Sequence, residues 1–452
     1  MFDFLACLQD NRMGYVLDLL YLFVGLAYSP VIVYRAIRYG RYRTGWAQRF
    51  GRISRRNPGK KCIWLHAVSV GEVNAAKTII KELETRFRDY EIVISATTDT
   101  GFACANNLFN QDHQVFYFPF DFSWVMHRAF RRIRPAICLL MELEVWPNFV
   151  GTAKKLNIPV VVVNGRISDK SFPKYKRAKP LVRHIFRKVN LVLAQTDQYA
   201  QRFREIGAGN VIVTSSLKYD TAQVADKVEG ADALAEQLNM DGERLWVAGG
   251  TGPGEEEILL DVYRNLMQQD EFDNLHLVIV PRKPERFDEV AELIKQSGFK
   301  LVRYSRIKNQ AAGNVSIENQ ASGIEPVILG DTMGDLRKFY SLASVIFVGR
   351  SLVPMGGSDM MEAAALGKCT IFGPYTFNFR QTVEALLAGH GAIEVKDGAE
   401  LLITIKKCLS EPEYARTIGQ AGQAVIRQNQ GATARTIEAL SRMLSSTVGR
   451  NV

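Results

Sequence analysis

Three acids and a lysine, each placed just after an apolar run, have the residue type and spacing for chemistry. In His66-Ala67-Val68-Ser69-Val70-Gly71-Glu72-Val73 the small residues and Gly71 let another molecule approach the backbone, and Glu72 opens a helical pattern. A carboxylate there complements the helix macrodipole. At the carboxyl end of a first strand, where a cleft opens, it can instead act as a general base on a hydroxyl. Met141-Glu142-Leu143-Glu144-Val145-Trp146-Pro147-Asn148 closes a second apolar run. Acids spaced i, i+2 on a strand point to the same side, which suits either catalysis or a structural pairing with an arginine or helix N–H groups. Lys218, in Ser215-Ser216-Leu217-Lys218-Tyr219-Asp220, follows a third run and offers either a cation to the cleft or a solvated surface charge.

The second half carries motifs suited to an anionic ligand. Gly249-Gly250-Thr251-Gly252-Pro253-Gly254-Glu255 is a glycine-rich turn between a strand and a helix, superficially a phosphate cradle. The next strand ends in Pro281-Arg282-Lys283-Pro284, with no acid for a ribose diol, and no GxxxxGK[ST] occurs. That pattern argues against a nicotinamide cofactor and excludes an ATP-hydrolysing P-loop. Arg282 instead suits a phosphate or carboxylate through its two-pronged geometry. In Gly330-Asp331-Thr332-Met333-Gly334-Asp335-Leu336 the glycine can expose backbone to a flat base. Pro354-Met355-Gly356-Gly357-Ser358-Asp359-Met360-Met361-Glu362-Ala363 leads a glycine pair into a helix. Its first N–H groups can hold a phosphate and Glu362 a ribose hydroxyl pair. Ser358 or Asp359 with Glu362 is also close to a capping box. No Asp-x-Asp and no His/Asp cluster with metal-ligand spacing occurs, so no metal and no cofactor is expected.

Positioning these residues requires an α/β fold. Candidate strands Cys62–His66, Ile92–Ala96, Val115–Phe118, Ala136–Met141, Val160–Val163, Leu191–Ala194 and Val211–Val213 alternate with helix-length stretches. A second series runs Leu245–Ala248, Leu275–Val280, Lys300–Arg303, Pro326–Leu329, Val345–Val348, Cys369–Phe372 and Ala392–Val395. Most lack polar alternation, as parallel strands covered on both faces do. The polar stretch 222–244 separates the series as a linker. The expected domains are a membrane anchor at 1–35, Rossmann-like domains at 36–225 and 226–425 facing a cleft, and a C-terminal helix at 426–452 that crosses back to the first half.

The chain has 452 residues, 47% apolar and 23% charged, which excludes a largely disordered or collagen-like protein. It carries 57 Lys+Arg against 47 Asp+Glu. Ten basic residues and no acid lie between Arg35 and Lys61, so the whole excess sits in that segment. A generic nucleic-acid binder would spread its charge along a surface. Tyr15–Tyr34 precedes the segment as a 20-residue apolar run interrupted by Asp18 and Pro30. That length spans a bilayer core of about 30 Å. The basic cluster after it points to the cytoplasmic side and to anionic headgroups bound by residues 35–61. Six dispersed cysteines suggest neither a disulfide framework nor a zinc site.

Together HAVSVGEV, TTDTG, MELEVWPN, VNGRIS, SLKYD, PRKPERF, GDTMGDL, GGSDMMEAAA and FGPYTFNF resemble, in order, the 3-deoxy-D-manno-oct-2-ulosonic acid (Kdo) transferases of Gram-negative bacteria. The resemblance covers residues 60 to 380. It implies a GT-B glycosyltransferase fold, an inner-membrane anchor with its catalytic part in the cytoplasm, CMP-Kdo as donor and a lipid A precursor as acceptor. It further implies that Glu72 is the catalytic base and that Glu142 and Lys218 stabilise the transition state. Pro281, Arg282, Met333, Gly334, Asp335, Asp359, Met360, Met361 and Glu362 are then the CMP-Kdo positions. The family's glycine pair is usually followed by His-Asn; here Ser358-Asp359 stands there, losing an imidazole and adding a negative charge near a phosphate. Three alternatives are a GT-B enzyme with a UDP-sugar donor, a tethered ligand-binding protein without chemistry, and nucleic-acid binding by the basic segment.

Overall fold

Runs of valine, isoleucine and leucine build the strands, which lie parallel and, away from the sheet edges, are covered on both faces. The computed structural model describes residues 2–39, 44–240, 242–309 and 326–448. Fourteen strands occur among them, in two seven-stranded sheets.

The first sheet contains β1 (Lys61–His66), β2 (Tyr90–Ala96), β3 (Gln114–Tyr117), β4 (Ile137–Met141), β5 (Val160–Gly165), β6 (Leu191–Ala194) and β7 (Val211–Val213), in the order β3-β2-β1-β4-β5-β6-β7. The second contains β8 (Arg244–Thr251), β9 (Leu275–Pro281), β10 (Leu301–Arg303), β11 (Val327–Leu329), β12 (Val345–Val348), β13 (Cys369–Phe372) and β14 (Ile393–Glu394), ordered β10-β11-β9-β8-β12-β13-β14. All their pairings are parallel. Each sheet is doubly wound, and the winding reverses beside its first strand, at β1/β4 and at β8/β12. Open α/β sheets bind ligands at such points.

Two compact units hold these sheets. The first is Met1–Thr221 with Gln430–Val452, the second Ala222–Asn429. In the first, Trp64 packs against Phe149, Phe130 and Phe116 at 4.9–5.8 Å between ring centroids. Its indole N–H donates to Ser95 Oγ at 2.9 Å. The helical pattern at the C-terminus resolves into Pro412–Asn429 and Ala432–Val448, parted at Gly431. The second of these belongs to the first unit and buries Ala432, Ile437, Leu440 and Leu444 beside Ala76, Ile79 and Ile80. Asp220 accepts from the Gly431 and Thr433 N–H groups that begin it. The stretch 222–244, expected as the linker and without a strand signal, contains a helix, Ala231–Leu238, which buries Ala231, Leu234 and Leu238.

A single helix, Phe2–Tyr39, extends well beyond the apolar run on both sides, with Pro30 inside it. Its Gly14–Val31 segment has mean hydropathy 1.4 and none of it is buried, long and apolar enough to cross a membrane. Asp18 is not a stray charge in that segment. Its carboxylate accepts from the N–H and hydroxyl of Ser123 and from Asn148 Nδ2, at 2.5–3.0 Å. Tyr21 donates to Asp121, which also accepts the Asn148 and Phe149 N–H groups.

Much of the basic segment that follows is committed to the fold. Arg49 is buried, stacks over Tyr117 and faces Asp99. Arg55 forms a buried ion pair with Glu91 at 2.7 Å, and Arg56 and Lys60 donate to the carbonyls of Gln111 and Arg88. Arg49 and Arg55 are thereby withdrawn from the surface, whereas Arg56 and Lys60 stay exposed.

Candidate active site

Glu72 and Glu142 stand beyond the two strands that flank the reversal of the first sheet, β1 and β4. Ser69 caps the helix Val70–Arg86, its hydroxyl accepting from the Glu72 N–H. The Glu72 carboxylate reaches back to accept from the Val68 N–H at 2.9 Å and from the Ser69 hydroxyl at 3.0 Å. This is close to a reciprocal capping box. The capping role is therefore realised, but a carboxylate has about four lone-pair sites, and two of these remain for another donor.

Electrostatics distinguish Glu72 from an ordinary cap. Burial pushes its carboxyl up to about 7, the Val68 N–H and Ser69 hydroxyl oppose this, and the charges of Glu142 and Glu144 add to it. Glu144 is also raised by burial, against a hydrogen bond from the Trp146 indole N–H at 3.1 Å. The expected strand alternation of Glu142 and Glu144 does not occur. Glu142 adopts φ +53 and Glu144 N–H turns back to the Met141 carbonyl at 3.2 Å, so the pair sits on a tight turn. What joins the three acids is their mutual charge, within one site.

Neighbouring motifs hold this cluster in place. Thr98 donates from its hydroxyl to the Val68 carbonyl at 2.8 Å, and a Cβ on Gly101 would lie 2.5 Å from that same oxygen. Only glycine lets the Asp99–Phe109 helix approach so closely. Lys218 is half-buried in the short helix Leu217–Thr221, whose Leu217 N–H is held by Asn164 Oδ1 at 3.1 Å. Arg166, two residues further along, has a buried Nε without a partner. Asn164, Arg166, Thr98 and Gly101 all lie in stretches whose family resemblance was legible, yet composition and spacing alone gave them no role. His66 lines the same strand end but is buried, stacked on Phe118 at 3.8 Å and pushed down to about 3, so it stays neutral.

In the second unit the ligand-suited residues lie beyond the carboxyl ends of β9, β11 and β12. Pro281 ends β9, and the exposed Arg282 follows it, its N–H donating to the Thr251 carbonyl at 3.1 Å. Met333 is exposed at the tip of its turn, and Gly334 has φ +88. Asp335 points inward to Lys308, Lys338 and Thr332, which hold its carboxyl down to about 2 against the cost of burial. It shapes the turn rather than reaching for a ligand. Met360 and Met361 are likewise core side chains, so only their backbone could face one.

Glu362 is different. Its half-buried carboxylate meets no hydrogen-bond donor among the described residues. Burial and the charge of Asp359 raise its pKa, while Arg337 and Arg282 lower it. Asp359, exposed, caps the helix Met360–Ala364 by accepting from the Met361 N–H at 2.9 Å. Ser358 is not part of that cap; its hydroxyl donates to the Gly250 carbonyl at 2.7 Å and ties the two glycine turns together. Gly250 has φ +70, and a Cβ on it would meet Ser358 Oγ at 2.6 Å. The last residue of the glycine-rich turn accepts one N–H of the turn itself, from Gly252 at 3.3 Å, and three from another loop. Glu255, fully buried, accepts N–H groups from Arg350, Ser351 and Leu352.

Comparison with known proteins identifies these patterns. The family model described as 3-deoxy-D-manno-octulosonic-acid transferase (kdotransferase) matches residues 44–221. A 3-deoxy-D-manno-octulosonic acid transferase of Haemophilus influenzae is 31% identical over 417 residues, covering 91% of this chain and 94% of that one. One of Bordetella pertussis is 31% identical over 404 residues, covering 88% and 91%. The crystal structure of a glycosyltransferase from Rickettsia africae superposes with a TM-score of 0.54 at 14% identity, over 85% of this chain and 99% of that one. At that identity the likeness is one of fold, the two-sheet GT-B glycosyltransferase architecture.

Proposed function

The chain belongs to the 3-deoxy-D-manno-octulosonic acid (Kdo) transferase family, and from that premise we propose that Glu72 is the general base of an inverting transfer of Kdo from CMP-Kdo to a lipid A precursor. The broader activity, a Kdo glycosyltransferase of the lipopolysaccharide core, comes with the family. The finer reading is carried by one observation: a buried carboxylate held up to about 7 beside two further acids at the reversal of the sheet.

A base is most effective when its pKa lies near the working pH. Glu72 takes the proton of an acceptor sugar hydroxyl as that oxygen bonds to the anomeric carbon of Kdo. The bond from that carbon to the CMP phosphate oxygen breaks in the same displacement, so the anomeric configuration inverts and no covalent intermediate forms. Positive charge develops on the sugar ring, and Glu142 stabilises it through space. CMP departs as an anion, offset by Lys218 and Arg282. Glu362 accepts the ribose hydroxyls, and the exposed Met333-Gly334 turn lies against the base. The apolar helix fixes the enzyme to the inner membrane with both units on the cytoplasmic face, since basic residues follow the apolar segment.

The test is transfer from CMP-Kdo to a tetraacylated lipid A precursor, with products read by mass for the wild type and Glu72→Gln. Product from the wild type and almost none from a folded variant supports the reading. Equal product from both removes Glu72 as base. A wild type that is inactive with CMP-Kdo but binds UDP in preference to CMP overturns the donor.

A further inference from the structure

Cys369 and Cys408 are 39 positions apart in the sequence, yet their sulfurs stand 3.7 Å from each other in the second unit. Cys369 is the first residue of β13, and Cys408 lies in the last turn of the helix Gly398–Ser410. Each is 2% exposed. The donor positions lie beyond the carboxyl ends of the strands, whereas this pair sits at the amino end of the same sheet. Sulfurs at that separation are in van der Waals contact, and a disulfide brings them to about 2.05 Å. Closure therefore needs an approach of about 1.7 Å, shared between two side chains.

The pair is buried but not sealed. Both cysteines line a cavity of about 660 Å³, together with Lys368, Arg244, Arg416 and Asp226. That gives a small neutral oxidant a path to the sulfurs with the sheet intact. Neighbouring cations favour the thiolate, which is the reactive form of cysteine. The hydrogen bond shared with Cys369 holds the Cys408 thiol down and the Lys407 ammonium adds to this, against burial and the charge of Glu411. The same bond and burial hold Cys369 up. One sulfur is thus prepared as the nucleophile, and the other keeps its proton.

We propose that Cys369 and Cys408 are a thiol pair that a hydroperoxide oxidises to a disulfide, stapling the Gly398–Ser410 helix to β13. The Cys408 thiolate attacks one peroxide oxygen, the O–O bond breaks, and hydroxide leaves to take up a proton as water. The Cys369 sulfur then attacks the Cys408 sulfenic acid. The S–S bond forms, the S–O bond breaks, and a second water departs. Two thiols and one hydrogen peroxide give one disulfide and two waters, with two electrons passing from sulfur to oxygen. Bridging keeps Cys408 from the irreversible sulfinic and sulfonic acids, and thiol exchange reopens it. The closed loop contains the helix Arg380–Ala388 and β14, so the bridge also restricts the unfolded chain.

The full-length protein in detergent would be treated with hydrogen peroxide, its remaining thiols alkylated, and its peptides mapped by mass without reduction. A peptide cross-linked through Cys369 and Cys408, absent after dithiothreitol, is expected in protein whose circular dichroism is unchanged. Its thermal midpoint should lie roughly 5–10 °C above that of the reduced chain. Cys369→Ala should let Cys408 advance to the sulfinic acid, while Cys408→Ala should leave Cys369 a thiol. Both variants remove buried volume, so the wild-type map decides by itself. A bridge that forms only after the circular dichroism is lost overturns the pair. So do two thiols left untouched at a peroxide dose that oxidises the half-buried Cys104, and so does a Cys408 sulfinic acid beside a free Cys369 in the wild type. A bridged chain that melts no higher than the reduced one overturns the staple.

Discussion

Glu72 and Asp335 are both buried carboxylates in turns beyond a strand, one in each unit, and they are displaced in opposite directions. Glu72 loses solvent and receives only two neutral donors, with two other acids nearby, so its proton is held up to about 7. Asp335 loses solvent too, but two ammonium groups and a hydroxyl replace it, and its carboxyl falls to about 2. Burial alone therefore does not mark a reactive acid. The quality of what replaces the water does.

The sharpest break of this contrast is Glu72→Gln, expected to lower turnover roughly 10²–10⁴-fold while the amide still accepts a cap hydrogen bond. Chemical denaturation beside the transfer assay checks both halves. Its pH signature follows from the sign of the shift. A carboxyl raised in the folded state contributes stability that is full below about 4.5 and gone once pH passes about 7. The stability of the variant relative to the wild type should accordingly improve across that window, while wild-type activity rises through it as the base ionises.

Next in size is Glu142→Gln, which in the proposed mechanism removes a charge acting on both transition state and base. A loss of roughly 10²-fold in kcat is expected. The acidic limb of kcat/KM should also move below about 7, because Glu142 helps to raise Glu72. An unmoved limb would separate the two acids.

Asp335→Asn should act on folding rather than on chemistry. Lys308 and Lys338 are partly exposed, so screening limits the loss to about 1–2 kcal/mol, with kcat retained and KM for CMP-Kdo raised. A depressed carboxyl contributes stability above its unfolded pKa and loses it as pH falls through about 2. The deficit of the variant should therefore be constant above about 4, as urea midpoints at several pH values would show. The smallest effect is expected for Ser358→Ala, which deletes one hydrogen bond between glycine turns at about 1 kcal/mol. A severalfold rise in donor KM would measure what that bond contributes to the donor site.

The parallel strands were legible because their apolar runs need no alternation to be recognised. Ala231–Leu238 was missed although its buried residues recur at i, i+3 and i+7, since short polar surroundings outweighed three apolar positions. Glu142 and Glu144 show a different gap. A left-handed residue at a strand end breaks the two-residue period, and nothing in Met-Glu-Leu-Glu announces it. Motif membership also cannot separate Met333, exposed, from Met360, buried. Which side of a turn faces ligand is a property of packing.

The chain leaves the first unit at Thr221 and returns to it only at Gln430. The Ala432–Val448 helix covers the Val70–Arg86 helix that bears Glu72, with Thr433 bonded to Thr78 at 2.9 Å. During synthesis the Val70–Arg86 helix therefore emerges early and waits, one face uncovered, through the translation of some two hundred residues. The second unit can close while its ends are still tethered, but a chain truncated before the last helix has a first unit with an open core. The part of the enzyme made first is the last to be finished.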